Sequence, residues 1–162
     1  MGRSRGGLTS KIHLAADRRA RPISRITTAG HRHDSIAFER VMAGIRIRRR
    51  GRGHPRTTPG HLLGDKAFSN RAIRRHLRRR RITATIPEPA DQLKHRRNRG
   101  SRGGRPPAFD PTRYRQRNIV ERAINKLKQF RAVATRYDKR DYMFQATIDV
   151  ASICVWLKDP VR

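Results

Sequence analysis

The chain of 162 residues has little cysteine, little negative charge and no long apolar run. Its one cysteine, Cys154, excludes an internal disulfide, and the apolar residues around it in the sequence indicate a buried thiol. No stretch of about 18 apolar residues occurs, so we expect no membrane-spanning helix. Met1 to Ser4 leads into no apolar segment, so we expect no signal peptide. These absences favour a cytoplasmic protein.

Acidic residues are outnumbered by basic ones: 12 Asp and Glu stand against 41 Lys and Arg, which gives a net charge of +29. Most of the basic residues are arginine, whose planar guanidinium suits bidentate contacts to phosphate. This excess of positive charge indicates a polyanionic partner, and DNA or RNA fits better than a membrane surface. Tyr137, Tyr142 and Trp156 are too sparse for a base-stacking platform. We therefore expect binding through phosphate contacts.

Hydrophobic periodicity predicts a chain that alternates between strands and helices. The expected elements are a hairpin of strands at 11–16 and 23–28, a helix capped by Asp34 or Ser35, a strand at 61–64, a helix at 71–80 capped by Ser69 or Asn70, a strand at 82–86, a helix starting at Asp110 and a final helix at 141–157. Basic segments rich in glycine, at 46–60 and 91–107, are expected to be irregular loops. The order indicates one α/β domain over residues 1–162, with a mixed sheet and flanking helices.

Asp65 ends the short apolar run His61-Leu62-Leu63-Gly64 and precedes a predicted helix. The ends of strands in α/β sheets are where functional groups usually lie, so Asp65 is a candidate site residue. The alternative is an aspartate that only forms the turn or caps the helix. Both readings stay open from this position alone.

A second candidate acid, Glu121, lies in the predicted helix that follows Asp110. On an ideal helix Tyr114, Arg117, Glu121 and Lys128 fall within an arc of roughly 60°, because their spacings are 3, 4 and 7. The alternative is a solvated helix face with an ordinary Arg117–Glu121 pair. If Glu121 acts together with Asp65, the two carboxylates offer the hard oxygen ligands that Mg²⁺ or Mn²⁺ prefers. Such ions can promote cleavage of a phosphodiester bond.

Two weaker patterns accompany these acids. His31, His33 and Asp34 resemble a metal cluster but lack further ligands at a convincing spacing, which favours a polar loop before a helix cap. The arginine run at 78–81 and the basic segment at 94–105 are either solvated faces or phosphate contacts. With a net charge of +29 we favour phosphate contacts without sequence specificity.

The arrangement Tyr114-x2-Arg117-x3-Glu121-x6-Lys128 matches the Y(2)R(3)E(6)K signature of bacterial insertion-sequence transposases of the DDE class. The other segments that look like this family are GRSRGGLTSKIHLAAD (2–17), LLGDKAFSNRAI (62–73), ITATIPEP (82–89) and NKLKQFRAVATRYDK (125–139). The resemblance covers nearly the whole chain. It identifies the chain with the C-terminal part of the family's catalytic domain.

This resemblance implies an RNase H-like fold in which Asp65 and Glu121 match the second and third acids of a catalytic triad. It implies that Tyr114 and Lys128 grip transposon-end DNA, with Arg117 supporting them near the acids. The implied reaction is metal-dependent DNA cleavage and strand transfer with Mg²⁺ or Mn²⁺. The implied partners are the transposon ends, the target DNA and, in the complete enzyme, a second subunit of a homodimer. The implied location is the cytoplasm, on the nucleoid.

The chain departs from the family at the first acid of the triad, which belongs to a strand preceding the GRSRGGLT segment. Asp17 in a predicted turn and Asp34 at a predicted helix start are not placed like that residue. We therefore expect a truncated catalytic domain that lacks its first strand, binds DNA non-specifically and cleaves it very poorly.

The alternative function is a non-catalytic, basic nucleic-acid-binding protein. It predicts that Asp65→Asn and Glu121→Gln change no property of the chain and that no divalent ion binds near either residue.

Overall fold

The structure, a computed structural model, describes residues 2–4 and 7–159. These residues form two compact units, one made of the chain up to Thr57 together with the chain from Asn118, the other of Thr58–Arg117. Within the described residues no helix is both long and apolar enough to span a bilayer.

Five strands and seven α-helices are found among the described residues. In chain order they are β1 (Gly2–Ser4), β2 (Gly7–Ala16), β3 (Pro22–Ala29), α1 (Asp34–Ala43), β4 (His61–Leu63), α2 (Arg71–Arg79), β5 (Thr83–Thr85), α3 (Ala90–Asn98), α4 (Pro111–Tyr114), α5 (Ile119–Lys128), α6 (Arg131–Thr135) and α7 (Asp141–Lys158). Short 3-10 helices occupy Lys66–Phe68, Gly100–Gly103 and Arg115–Asn118.

The first unit is built on the antiparallel sheet β1-β2-β3. The predicted hairpin is confirmed as β2 and β3, and its turn is closed by Asp17, whose carboxylate accepts from the backbone N–H of Arg19 at 3.0 Å and of Arg21 at 2.9 Å. The core that the helices form beside this sheet consists of Leu127, Val133, Phe144, Ile148 and Ala151, with Ile12 and Leu14 of β2 packed against it. The predicted final helix is confirmed as α7.

The second unit contains a β4–α2–β5 crossover in which the two strands pair in parallel, with Leu63 opposite Thr85. Parallel strands need such a crossover, and α2 supplies it by burying Ile73 and Leu77. Of the two predicted capping residues, Ser69 and Asn70, it is Asn70 that caps α2, because its side chain accepts a hydrogen bond from Ile73 N at 2.8 Å. The carboxyl ends of both strands therefore lie at one edge of this sheet.

The α/β class is confirmed, but the described strands form two small sheets rather than one mixed sheet. The expected loop at 46–60 is irregular, with only an isolated bridge between Ile47 and Arg56. The expected loop at 91–107 is wrong for its first part, which is α3 followed by a 3-10 helix.

The helix α3 forms despite its polar composition because its side chains contact residues that precede it in the chain. Arg96 in its last turn makes a two-pronged ion pair with Glu88, and the Gln92 side chain donates to Ser69 O at 2.6 Å. Asp91 lies in the first turn and basic residues in the last, as the helix dipole favours. The amino-acid composition of residues 91–107 does not indicate these contacts, so it could not predict the helix.

Candidate active site

Asp65 directly follows β4 and Gly64, at the carboxyl end of the parallel strand pair. Gly64 N donates to Thr85 O at 3.2 Å, and a Cβ at this glycine would lie 3.2 Å from Ile86 Cγ1, so the backbone runs close to the end of β5. The exposed Asp65 carboxylate caps the following 3-10 helix by accepting from Lys66 N through Oδ1. Among the described residues this carboxylate makes no other hydrogen bond or ion pair. The cap therefore uses one oxygen and leaves the second toward solvent.

Glu121 lies in the first turn of α5 in the first unit, with its side chain exposed. Ala123 and Leu127 on the opposite face of α5 are buried in the core. Lys128, in the last turn of the same helix, is also exposed and lies only about 20° from Glu121 around the helix axis, because the two are seven residues apart. Because one side of α5 is buried in the core, its other side faces solvent and presents Glu121 and Lys128.

Tyr114 and Arg117 lie in the second unit, where Asp110 caps α4 by accepting from Arg113 N at 3.0 Å. The Arg117 guanidinium lies over the Tyr114 ring, 5.5 Å from its centroid, and Phe109 packs against the same ring at 5.2 Å between centroids. A cation over an aromatic face is attracted by the ring quadrupole. The tyrosine and arginine of the signature are therefore in contact with each other.

The predicted single helix from Asp110 is wrong, because a 3-10 turn at Arg115–Asn118 separates α4 from α5. All four residues of this turn are exposed, so none of its side chains is buried in a core. A 3-10 helix has 3.0 residues per turn rather than 3.6. The 60° arc predicted for the four signature residues therefore holds only for Glu121 and Lys128.

His61, at the start of β4, is a polar residue of this unit that the sequence reasoning missed. Its Nδ1 lies 3.2 Å from Arg113 Nη1 and its Nε2 lies 3.1 Å from Thr85 Oγ1. Burial, and then the charge of Arg113, hold the pKa of His61 below its usual value, against the opposing charge of Asp110. The neutral imidazole can thus accept from Arg113 and donate to Thr85. Its position at the start of an apolar run was its only signal in the sequence.

One face of α2 carries four exposed arginines, here called the α2 arginine stripe. They are Arg71, Arg75, Arg78 and Arg79. At 100° per residue they span roughly 100° of the helix, opposite the buried Ile73 and Leu77. None of the four forms an ion pair within the part of the chain that is described. Residues 58–117 contain 17 Lys and Arg but 4 Asp and Glu, so carboxylates are too few to pair them.

The structure groups no three His, Cys, Asp or Glu side chains as a metal site within residues 2–4 and 7–159. His31, His33 and Asp34 do not form the cluster that their spacing resembles. Asp34 instead pairs with Lys11 at 3.2 Å, and His33, rather than Asp34 or Ser35, is the residue that precedes α1. The reading of this segment as a polar loop before a helix is therefore the better one.

Comparison with known proteins gives two matches of nearly the whole chain. Residues 2–153 match the family model described as Transposase DDE domain. A protein of Brucella ovis with the name "Putative transposase for insertion sequence element IS6501" is 24% identical over 151 residues, which cover 93% of this chain and 100% of that protein. No solved structure matches. Asp65 and Glu121 both lie within the matched residues.

Proposed function

The chain belongs to the transposase DDE domain family, and from this premise we propose that it is the catalytic part of an insertion-sequence transposase acting on DNA. The family expected from the sequence is thereby confirmed. The name of the Brucella ovis relative supports the assignment to an insertion sequence. One observation carries the proposal: within the matched residues an exposed carboxylate, Asp65, follows a parallel strand at the sheet edge where α/β folds position functional groups.

In this proposal Asp65 and Glu121 are the carboxylates that hold Mg²⁺ or Mn²⁺. Both side chains are exposed, and carboxylate oxygens are the donors these ions prefer. A bound ion would supply Lewis-acid activation of the attacking oxygen and stabilisation of the leaving oxygen at a phosphodiester. The protein's own part is to present the two exposed acids, Glu121 on a helix whose opposite face is buried and Asp65 at the end of the half-buried strand β4.

DNA binding is assigned to Tyr114, Arg117 and Lys128, with the α2 arginine stripe as a further phosphate-binding surface. The contact between Arg117 and the Tyr114 ring restricts both side chains before DNA arrives. The arginines of the α2 arginine stripe form no ion pair among the described residues, so they can neutralise phosphates without breaking one. We expect this binding to be non-specific and to place the protein on the nucleoid in the cytoplasm.

We further propose that residues 1–162 act as one RNase H-like catalytic domain that has two of the three acids the resemblance implies. Asp17 and Asp34 are poor substitutes for the remaining acid, because Asp17 is bound to Arg21 in the hairpin turn and Asp34 is bound to Lys11. We therefore expect the isolated chain to bind DNA and to cleave it very poorly.

Metal binding to the purified chain tests the assignment of the two acids. Mn²⁺ is titrated into wild-type protein, Asp65→Asn, Glu121→Gln and the matched control Asp91→Asn, and the bound ion is followed by electron paramagnetic resonance. We expect each site variant to weaken binding by at least about 10-fold, as loss of a ligand does, and the control to bind like wild type. Unchanged Mn²⁺ binding in both site variants would instead favour the non-catalytic nucleic-acid binder.

Nicking of supercoiled plasmid tests the expected low activity separately. Robust Mg²⁺-dependent nicking by the isolated chain that Asp65→Ala abolishes would contradict the low activity while supporting the assignment of Asp65. Nicking that survives Asp65→Ala would point to a contaminating nuclease.

A further inference from the structure

The loop that follows α1 is exposed along its whole length and carries a dense group of arginines. This arginine arm comprises residues 48–55, with the sequence RRRGRGHP, and every one of them is exposed. Gly51 and Gly53 lie at the middle of the arm, and a Cβ placed on either glycine would meet no atom within 4 Å. The middle of the arm therefore has open space around it.

The base of the arm is fixed although its middle is open. Ile47 N donates to Arg56 O at 2.9 Å and Arg56 N donates to Ile47 O at 2.8 Å, which closes the loop as an isolated antiparallel bridge. Ile45, just before the bridge, is 4% exposed and so lies in the core of the first unit. Gly53 has a φ of 124°, a conformation that side chains disfavour, so the path of the loop depends on this glycine. The arm is thus a closed loop held at its base.

The positive charge of the arm is not balanced by nearby carboxylates. No Asp or Glu occurs between Glu39 and Asp65 in the sequence. The arginines of the arm form no hydrogen bond or ion pair among the described residues, and they are Arg48, Arg49, Arg50 and Arg52. Guanidinium groups so close in the chain repel one another, and a polyanion removes that repulsion. The arm is therefore suited to bind a nucleic acid.

The width of the arm distinguishes between the two grooves of a DNA duplex. The major groove is about 12 Å wide and admits a helix, whereas the minor groove is only about 6 Å wide. The arm is not helical, and Arg50-Gly51-Arg52-Gly53 alternates arginine with a residue that has no side chain. Such a segment presents guanidinium groups with little width between them. Its shape therefore fits the minor groove.

The chemistry of the arm also favours one base composition. Runs of A·T pairs narrow the minor groove and strengthen its negative potential, which attracts arginine. There an A·T pair presents only acceptors, whereas a G·C pair adds the amino group of guanine. A guanidinium only donates, and it is less strongly hydrated than an ammonium group. Residues 46–56 contain six arginines and no lysine, so the arm suits A·T pairs.

We propose that the arginine arm inserts Arg50 and Arg52 into the minor groove of A·T-rich duplex DNA. This contact rests on the proposed action on DNA and adds a second kind of binding to it. The α2 arginine stripe neutralises phosphates without regard to sequence, whereas the arm selects base composition. None of the residues of the arm belongs to the candidate active site.

Binding of the full chain to three duplexes of equal length, made of A·T, G·C or I·C pairs, tests the groove. Inosine lacks the 2-amino group of guanine, so an I·C pair resembles A·T in the minor groove and G·C in the major groove. By fluorescence anisotropy we expect the A·T and I·C duplexes to be bound at least about 5-fold more tightly than G·C, as for one unfavourable base pair. An I·C duplex bound like G·C, or equal binding of all three, overturns the proposal.

A pair of charge-matched variants tests which arginines carry the preference. Arg50→Gln, Arg52→Gln changes the arm, and Arg71→Gln, Arg75→Gln removes the same charge from the α2 arginine stripe. Both should bind every duplex more weakly, because both lose phosphate attraction. The ratio of A·T to G·C affinity should fall to near unity in the arm variant and stay at the wild-type value in the control. A ratio that the arm variant retains, or that falls equally in both variants, overturns the proposal.

Gly51→Val tests entry into the groove without a change of charge. A Cβ at Gly51 meets no atom of the described chain, and this glycine is not among the residues with a positive φ, so we expect urea unfolding to be unchanged. The added side chain would meet the walls of the narrow groove, so the preference for A·T should fall severalfold. A variant that keeps the wild-type preference contradicts insertion.

The same measurements separate this proposal from the proposed function. A wild type that binds no duplex contradicts both the arm contact and the action on DNA. A wild type that binds all duplexes equally contradicts the arm contact alone, and the Mn²⁺ titration of Asp65 and Glu121 is unaffected by that result. Double-stranded RNA has a wide, shallow minor groove and should be bound no more tightly than G·C DNA. RNA bound as tightly as the A·T duplex overturns the proposal.

Discussion

Arg74 of α2 donates a hydrogen bond to the carbonyl oxygen of Ile86 at 3.0 Å. It also donates to Ser69 Oγ at 2.7 Å, so one guanidinium connects the residue after β5 to the start of α2. Burial, the largest influence, holds the pKa of Arg74 below its usual value. Arg74 is thus a structural member of a helix whose other arginines face solvent.

Replacing Arg74 should destabilise the second unit, whereas replacing its neighbour Arg75 should not. Arg74→Gln removes charge-assisted hydrogen bonds to a buried backbone carbonyl and to Ser69, which we expect to lower the free energy of unfolding by about 1.5–3 kcal/mol. Arg75→Gln, at an exposed position, should change it by less than about 0.5 kcal/mol. Urea unfolding of both variants measures the difference, and equal effects would show that Arg74 has no structural role.

The α2 arginine stripe should determine part of the salt dependence of DNA binding. The triple variant Arg71→Gln, Arg75→Gln, Arg79→Gln removes up to three phosphate contacts, so the slope of log K against log salt should fall by about 2–3. Fluorescence anisotropy with a random-sequence duplex at several salt concentrations gives the slope.

A charge-matched control distinguishes a local surface from net charge. Arg18→Gln, Arg40→Gln, Lys139→Gln removes three exposed charges from the first unit and should leave the slope nearly unchanged. An equal fall in both triple variants would mean that binding follows net charge, and the stripe would not be a specific surface.

Elements that depend on local signals were predictable from the sequence. The hairpin follows from alternating side chains and a turn that Asp17 closes, and the start of α2 follows from the capping residue Asn70. The position of Asp65 after a short strand followed from the apolar run before it, although that strand is half-buried rather than buried. In each case the determining contact lies within a few residues in the sequence.

Features that depend on distant or absent contacts were not predictable. The ion pair between Arg96 and Glu88 converts an apparent loop into α3, and the contact of His61 with Arg113 joins residues 52 positions apart. The 3-10 turn at Arg115–Asn118, whose four residues are exposed, interrupts the α-helix, and an ideal helical wheel does not represent such an interruption. The prediction that Tyr114, Arg117 and Glu121 share one helix face came from such a wheel, and the 3-10 turn makes it wrong.

Thr27 should contribute to the attachment of α7 to the sheet. Its buried hydroxyl lies 2.7 and 2.8 Å from the two carboxylate oxygens of Asp141 in the first turn of α7. Thr27→Val removes a hydrogen bond to a charged group, so we expect a loss of about 1.5–3 kcal/mol in urea unfolding. The same change at the exposed Thr112 should have little effect. A Thr27→Val variant as stable as Thr112→Val would show that the contact contributes nothing.

The ion pair of Glu88 with Arg96 should make the second unit sensitive to acid. The hydrogen bond from Arg96, opposed by burial and assisted by the charges of Arg96 and Arg74, holds the pKa of Glu88 below its usual value. A carboxylate with a lowered folded-state pKa stabilises the protein above its unfolded-state pKa of about 4.3. That contribution is lost as pH falls through the folded-state value.

Glu88→Gln should therefore lower stability at neutral pH but lose less stability than wild type on acidification. Urea unfolding at about pH 7 and at several values below about pH 4.3 measures the difference, because only wild type gives up the ion pair in that window. Asp91→Asn, at an exposed position of α3 outside the ion pair, should follow the wild-type dependence. If wild type and Glu88→Gln lose the same stability in acid, the pair does not hold α3 in place, and the helix at Ala90–Asn98 must be stabilised by the Gln92 contacts to Ser69 instead.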